Sequence, residues 1–169
     1  MAVLDPDQAV VIALGSNLAG AYGSSTELLE AALARFPEAG LKIFCRSGWW
    51  RSAAWPDPNG PPYRNGVALV EADRAPREVL ECLLRIERAF GRTRGAPNEA
   101  RTLDLDLIAH GRTVMDEADL ILPHPRAHER LFVMGPLAEI APAWTHPVLH
   151  ATAANLATRA SIGTDASPA

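Results

Sequence analysis

The stretch LDLDL at 103–107 places two carboxylates two residues apart among leucines. On a strand this alternation sends Leu103, Leu105 and Leu107 to one face and Asp104 and Asp106 to the other. The two aspartate Cα atoms then lie about 6.5 to 7 Å apart. Their carboxylates can converge on one hard cation or on a metal pair about 3.5 to 4 Å apart. Magnesium suits such oxygen donors, since the chain offers no cysteine cluster or close histidine pair as a softer site. A bare D-x-D is more often a wet strand face, so its neighbours decide the reading. Arg101 precedes this strand, and Arg92 and Arg94 lie just upstream in a segment without apolar periodicity. Acid and arginine together beside a loop form a phosphoryl-transfer layout, in which cation and guanidinium groups meet charge on the transferring group.

A second set is aromatic and amide: Trp49, Trp50, Trp55, Tyr63, Asn65 and Phe132. Rings of this kind can sandwich a flat heterocycle, and an asparagine both donates to and accepts from its edge. Trp49 and Trp50 have opposite parity, so one of them is expected to point outward and at least one to serve as packing mass. His124 in PHPR and Arg130 in HER are candidates to meet phosphate. The chain has no G-x-x-x-x-G-K-[ST], which excludes a P-loop site as the source of the phosphate chemistry.

These residues need a scaffold, and 169 residues with 48% hydrophobic and 21% charged content suffice for one soluble domain. Residues 1–160 are expected to form it, with 161–169 a disordered tail of small polar residues. No apolar run is long enough to span a membrane, and the N-terminus does not resemble a secretory signal, so a cytoplasmic location follows by default. A net charge of −4 argues against a general nucleic-acid binder. Fifteen of the 16 basic residues are arginine. Five of these (Arg85, Arg88, Arg92, Arg94 and Arg101) cluster within seventeen positions. Cys45 and Cys82 sit in apolar segments and are read as buried thiols.

The element pattern is β, α, β, β, α, β. Residues 9–15 are a continuous apolar strand, and Ser24 with Glu27 caps a helix that ends before Pro37. Residues 41–50 read as a second strand, 53–62 as a proline-rich loop, and 64–72 as a third strand. Pro76 opens a helix with Val79, Leu83, Ile86 and Phe90 at helical spacing, and 102–111 is the last strand. Loop and short helix are expected over 120–144, and a last helical piece from His150 to Arg159. The order favours an α+β fold: a ferredoxin-like βαββαβ antiparallel sheet with two helices on one face, plus a C-terminal helical extension.

The pieces ALGSNL (13–18), YRNGVAL (63–69), IERAFGRTR (86–94), ARTLDLDLIAHG (100–111) and LPHPRAHERLFVMGPLAEIAP (122–142) together resemble the 6-hydroxymethyl-7,8-dihydropterin pyrophosphokinases of folate biosynthesis. The combination R-T-L-D-L-D-L then P-H-P-R-x-x-x-R-x-F is highly specific. The resemblance implies transfer of a pyrophosphoryl group from ATP to the hydroxymethyl oxygen of a dihydropterin, with release of AMP. It implies Asp104 and Asp106 as ligands of two magnesium ions, and Arg92 and Arg101 as catalytic loop arginines. Ser52, Ala53, Trp55, Tyr63, Asn65 and Phe132 match the pterin pocket. Leu80, Glu87, Arg94, Leu107, His124 and Arg130 match the ATP side. A monomer acting on small molecules, with no nucleic-acid or membrane partner, goes with that family.

Departures from the family pattern fall at the pterin rim and the loop. Ser52, Ala53 and Ala54 replace a common threonine and proline pair, and the loop reads GAPNEAR without a tryptophan. Asp119 stands where some members carry a basic residue. The competing readings are a non-catalytic ferredoxin-like ligand-binding module, a metal-dependent phosphodiesterase, and a decayed pyrophosphokinase that binds without turnover.

Overall fold

Strand β1 (Val10–Ser16) is buried along nearly its whole length. A strand apolar on both faces must be covered on both, and this determines the layers. A computed structural model describes residues 4–54, 59–91 and 102–169. In it β1 lies between β4 (Tyr63–Glu71) and β5 (Asp104–His110), antiparallel to each. The far side of β4 pairs with β2 (Lys42–Arg46) along one half and β3 (Trp50–Ser52) along the other. The described sheet therefore runs β5, β1, β4, then β2 and β3, all antiparallel. Among the described residues the architecture is mixed α+β with an antiparallel sheet and four α-helices, as expected at that level.

Helices α1 (Ser25–Ala34) and α2 (Pro76–Ala89) cover one face. Leu28, Leu29 and Leu33 of α1 and Val79, Leu83 and Ile86 of α2 pack on Val10, Ile12, Leu14, Leu105 and Leu107. The Ser24 side chain accepts from Glu27 N at 3.1 Å, and Glu27 in turn accepts from Gly23 N at 2.9 Å. The predicted cap therefore forms, its return bond reaching one residue further back. At α2, Pro76 occupies the first turn, where its missing N–H costs nothing.

The two helices expected on one face are α1 and α2, and the opposite side of the sheet is covered as well. There α3 (Leu131–Ile140) and α4 (Ala153–Arg159) bury Val133, Met134, Leu137 and Leu156 against Val11, Ala13, Val67, Leu69 and Ile108. The start of the segment expected as loop and short helix is instead strand β7 (Leu120–Leu122), which forms a hairpin with β6 (Met115–Glu117). Its turn residue Asp119 is ion-paired with Arg77 of α2 at 2.8 Å. Among the described residues no helix is long and apolar enough to cross a membrane.

Two further expectations change. Residues 41–50 form two strands because Ser47 interrupts them. Its Oγ accepts from Val67 N at 3.0 Å, substituting a side chain for ladder pairing, and Gly48 N donates to Glu139 at 2.7 Å. After this break neither tryptophan simply points outward. Trp49 Nε1 donates to Glu30 of α1, whereas Trp50 Nε1 donates to Glu139 of α3, so the pair straddles the sheet. Residues 161–169, expected as a disordered tail, are docked: Ser167–Pro168 form β8 on the outer edge of β3, and Ala166 is buried. The hydrogen-bonding capacity of an edge strand holds a segment that has little apolar content of its own.

A Cβ added at Gly66 would lie 2.6 Å from Trp49 Cζ3. Gly66→Ala is expected to destabilise the fold by about 1–3 kcal/mol through overpacking. Urea denaturation followed by tryptophan fluorescence checks this, and an unchanged midpoint would show that Trp49 does not seat on Gly66.

Candidate active site

The helices α3 and α4 do not cover the whole of their face, and the residues left over are polar. Trp50 pairs with Asn65, Asn65 with Gly15, and Gly15 with Asp104, forming one row across β3, β4, β1 and β5. In the next register Ala13 pairs with Asp106, and at the end of β3 Ser52 pairs with Tyr63. Asp104, Asp106 and Asn65 share the face of Ala13 and Val67, opposite the α1 and α2 core. The expected alternation holds: Leu103, Leu105 and Leu107 are buried on the helix side while Asp104 and Asp106 are half-buried on the other.

Gly15 is the floor of this row. Asn65 and Asp104 flank it from adjacent strands, about 10 Å apart at their Cα atoms. A Cβ at Gly15 would sit 3.5 Å from Asn65 Oδ1. Asn65 is buried, and its Nδ2 donates to Ser52 Oγ at 2.9 Å, which turns Oδ1 toward the glycine. The row therefore offers an amide edge at one end and carboxylates at the other, and the strand residue between them is glycine.

The start of α3 closes over this face. Arg130 occupies the N-cap position, and its guanidinium lies 5.8 Å from the ring centroid of Phe132, which is half-buried on the first turn. The backbone of His124 is tied beside β5 by donation of its N–H to Ile108 O at 2.8 Å. Burial pushes the His124 imidazole down to about 4, with the positive charge of Arg130 acting in the same direction and Asp104 opposing. His124 Nδ1 accepts from Arg126 N at 3.1 Å, so the neutral ring carries its proton on Nε2. It can donate one hydrogen bond to an anion but brings no full charge at neutral pH.

The expected site residues divide accordingly. Ser52, Tyr63, Asn65, Phe132, Asp104, Asp106, His124 and Arg130 lie around the open part of one sheet face. Leu107 is buried in the core on the other side, and Leu80 packs against that same core. Glu87 is buried on α2, where its Oε2 accepts from Leu105 N at 2.8 Å. The structure thus does not bring the side chains of Leu80, Leu107 and Glu87 to the open face. Ala53 is exposed at the end of β3, and its N–H donates to Asp165 at 2.6 Å. Trp55, Arg92, Arg94 and Arg101 lie outside the described residues.

Three residues of this region escaped sequence reasoning. Gly15 reads as a strand terminator rather than a floor, and Gly163 and Asp165 sit in a small polar tail whose only signal was its alternation of glycine, acid and small residues.

The donor set fits magnesium. Among the described residues no cluster of three metal-ligating side chains exists. Two carboxylates alone are what this ion takes when substrate phosphates and water complete its octahedron.

Comparison with known proteins gives a consistent family. The family described as 7,8-dihydro-6-hydroxymethylpterin-pyrophosphokinase (HPPK) matches residues 11–142. The Synechocystis sp. protein named 2-amino-4-hydroxy-6-hydroxymethyldihydropteridine pyrophosphokinase is 41% identical over 138 residues, covering 81% of this chain and 68% of that protein. The Folic acid synthesis protein fol1 of Pneumocystis carinii is 33% identical over 142 residues, covering 84% of this chain and 19% of that one. A crystal structure of Plasmodium falciparum HPPK-DHPS superposes with a TM-score of 0.68 at 13% identity, over 89% of this chain and 44% of that chain. This last likeness is one of fold.

The depressed imidazole gives a pH dependence. As pH falls from 6.5 toward 4 the unfolded chain takes up a proton that folded His124 refuses, so stability is lost through that window. His124→Gln is expected to flatten this part of the stability profile, measured by denaturation at pH steps without nucleotide or metal. An equally steep profile would show that His124 is not held neutral.

Proposed function

The chain belongs to the HPPK family, and on that premise we propose that it transfers the β,γ-diphosphate of ATP to the hydroxymethyl group of 6-hydroxymethyl-7,8-dihydropterin, yielding the pterin diphosphate and AMP in folate synthesis. The observation that carries this reading is the row Asn65, Gly15, Asp104 across the sheet. One end can read a heterocycle edge and the other can gather phosphate, at a separation suited to a substrate whose acceptor oxygen lies between them.

At the pterin end, Asn65 presents its carbonyl and its remaining N–H to the ring edge, since its amide is held by Ser52. Tyr63 and Phe132 supply ring faces. The backbone of Ser52 and Ala53 forms the rim, and the family resemblance assigns Trp55 to the same pocket. At the phosphate end, Arg130 brings charge and His124 one donor from Nε2. Asp104 and Asp106 would hold two magnesium ions, which when bound offset charge on the triphosphate oxygens. Arg92 and Arg101 are the catalytic arginines of this reading, with Arg94 on the phosphates. Leu80, Glu87 and Leu107 serve the nucleotide side through the packing and backbone position of α2 and β5.

The hydroxymethyl oxygen attacks the β-phosphorus while the bond from that phosphorus to the bridging oxygen of AMP breaks, and the hydroxyl proton is lost. The described part of the face offers no strong base: His124 has little basicity at a pKa of about 4. A loose transition state needs none, because positioning and charge neutralisation supply most of the acceleration.

The strand order β5, β1, β4, then β2 and β3 supports a ferredoxin-like arrangement for residues 10–110, with α3 and α4 as its C-terminal extension. A single pyrophosphokinase domain, a monomeric state and a cytoplasmic location complete the reading.

Phosphorus NMR with ATP, magnesium and the reduced hydroxymethylpterin should show AMP and a pterin diphosphate only in the complete mixture. ADP or inorganic phosphate would instead indicate a kinase or hydrolase, and no turnover despite binding of both substrates a decayed enzyme. Asp106→Ala should lower turnover by roughly 10²-fold or more with the circular dichroism of the wild type. Near-normal activity would remove the metal assignment. Arg101→Ala should reduce kcat far more than pterin affinity, and a pure binding defect would overturn its transition-state role.

A further inference from the structure

Residues 161–169 join the two walls of the pterin end. The segment begins against the residues that introduce α3: Ser161 N and Ile162 N donate to Glu129 O, and Leu131 N donates to Ile162 O at 2.9 Å. Gly163 follows with φ +65°, in the left-handed region that suits glycine, and its Cα lies directly against the Phe132 ring, where a Cβ would collide with Cδ1. The chain then crosses to β3. Asp165 accepts from Ala53 N at 2.6 Å, Ser167 pairs with Arg51, and Ala169 N donates to Trp49 O at 2.9 Å. Trp49, Arg51 and Ala53 have the same parity, so one segment satisfies the outward edge of β3 up to its end. At the last position it uses a side-chain carboxylate in place of a backbone carbonyl.

Packing alone does not fix that end. Ala53 is exposed, and a cavity of about 380 Å³ opens between Ala53, Pro62, Asp165 and Ser167. A rim residue beside open space is held by its hydrogen bonds. Because Ala53 N–H points to the outer edge, away from β4, the Asp165 bond fixes the rim without occupying the face that Asn65 and Tyr63 share.

We propose that residues 162–168 are a positioning strap for the pterin end of the site, in which Asp165 sets the Ser52–Ala53 rim and Gly163 seats Phe132, so that the two walls keep the spacing of one flat ring. The proposal rests on the pyrophosphokinase reading, and it makes Asp165 and Gly163 positioning residues that determine acceptor affinity without touching the reacting atoms.

The test is steady-state kinetics of Asp165→Ala, Asp165→Asn and Gly163→Ala with pterin and ATP varied separately, alongside thermal melting and amide exchange at Ala53. Loss of one charge-assisted hydrogen bond predicts a pterin KM raised about tenfold in Asp165→Ala, with kcat and ATP KM little changed. The asparagine variant, which keeps an acceptor oxygen, should regain most of that loss. Gly163→Ala should raise the pterin KM through Phe132 while leaving the Ala53 amide protected. Unmoved pterin KM values in an active protein whose Ala53 amide has lost protection would overturn the strap alone. So would a lowered melting temperature with both KM values rising together. A wild-type chain that makes no AMP would overturn the pyrophosphokinase reading on which the strap rests.

Discussion

Strand β1 has Val10, Ile12 and Leu14 in one hydrophobic core and Val11 and Ala13 in another, and the architecture follows from that double burial. Each apolar face removed from water is worth roughly 25 cal/mol per Å², so neither can be left wet. Two helix layers are required, one from each half of the chain. At Gly15 the strand loses its side chain on the α3 and α4 face, and its cross-strand neighbours there, Asn65 and Asp104, are polar. An open polar surface is thereby created on an otherwise rigid platform, and the candidate site occupies it.

The parts legible in the sequence are those controlled by local chemistry. The alternation of LDLDL fixed the faces of β5, Ser24 and Glu27 marked the start of α1, and Pro76 the start of α2. The parts that were not legible depend on tertiary partners. Nothing in LKIFCRSGWW announces that Ser47 would replace a ladder bond, because its acceptor role exists only once Val67 lies opposite. The short strands β6 and β7 have three residues each, too few for a periodic signal. Residues 161–169 carry almost no apolar pattern, and they dock through backbone bonds to β3 and the start of α3 that composition does not encode.

The same distinction runs through the site. Asp104, Asp106, Tyr63, Asn65 and Phe132 were recognisable by type and motif, and they meet around one face. Motif matching also grouped Leu80, Glu87 and Leu107 with them, although these side chains belong to the other side of the sheet. The grouping comes from the family resemblance, whereas strand parity sends the Leu107 side chain away from that of Asp106 beside it.

Glu87 shows how the two sides communicate physically. A buried carboxylate is costly unless hydrogen-bonded, and here its partner is the backbone N–H of Leu105, the residue between the two aspartates. That bond ties α2 to β5, the strand at one end of the described sheet, where no further strand pairing could fix its position. Asp104 and Asp106 project from the same short stretch, so a side chain of the α1 and α2 layer helps to hold the strand that carries them. Rigidity of this kind matters for a reaction that depends on where charges stand, since carboxylates that drift by an ångström no longer share the same phosphate oxygens.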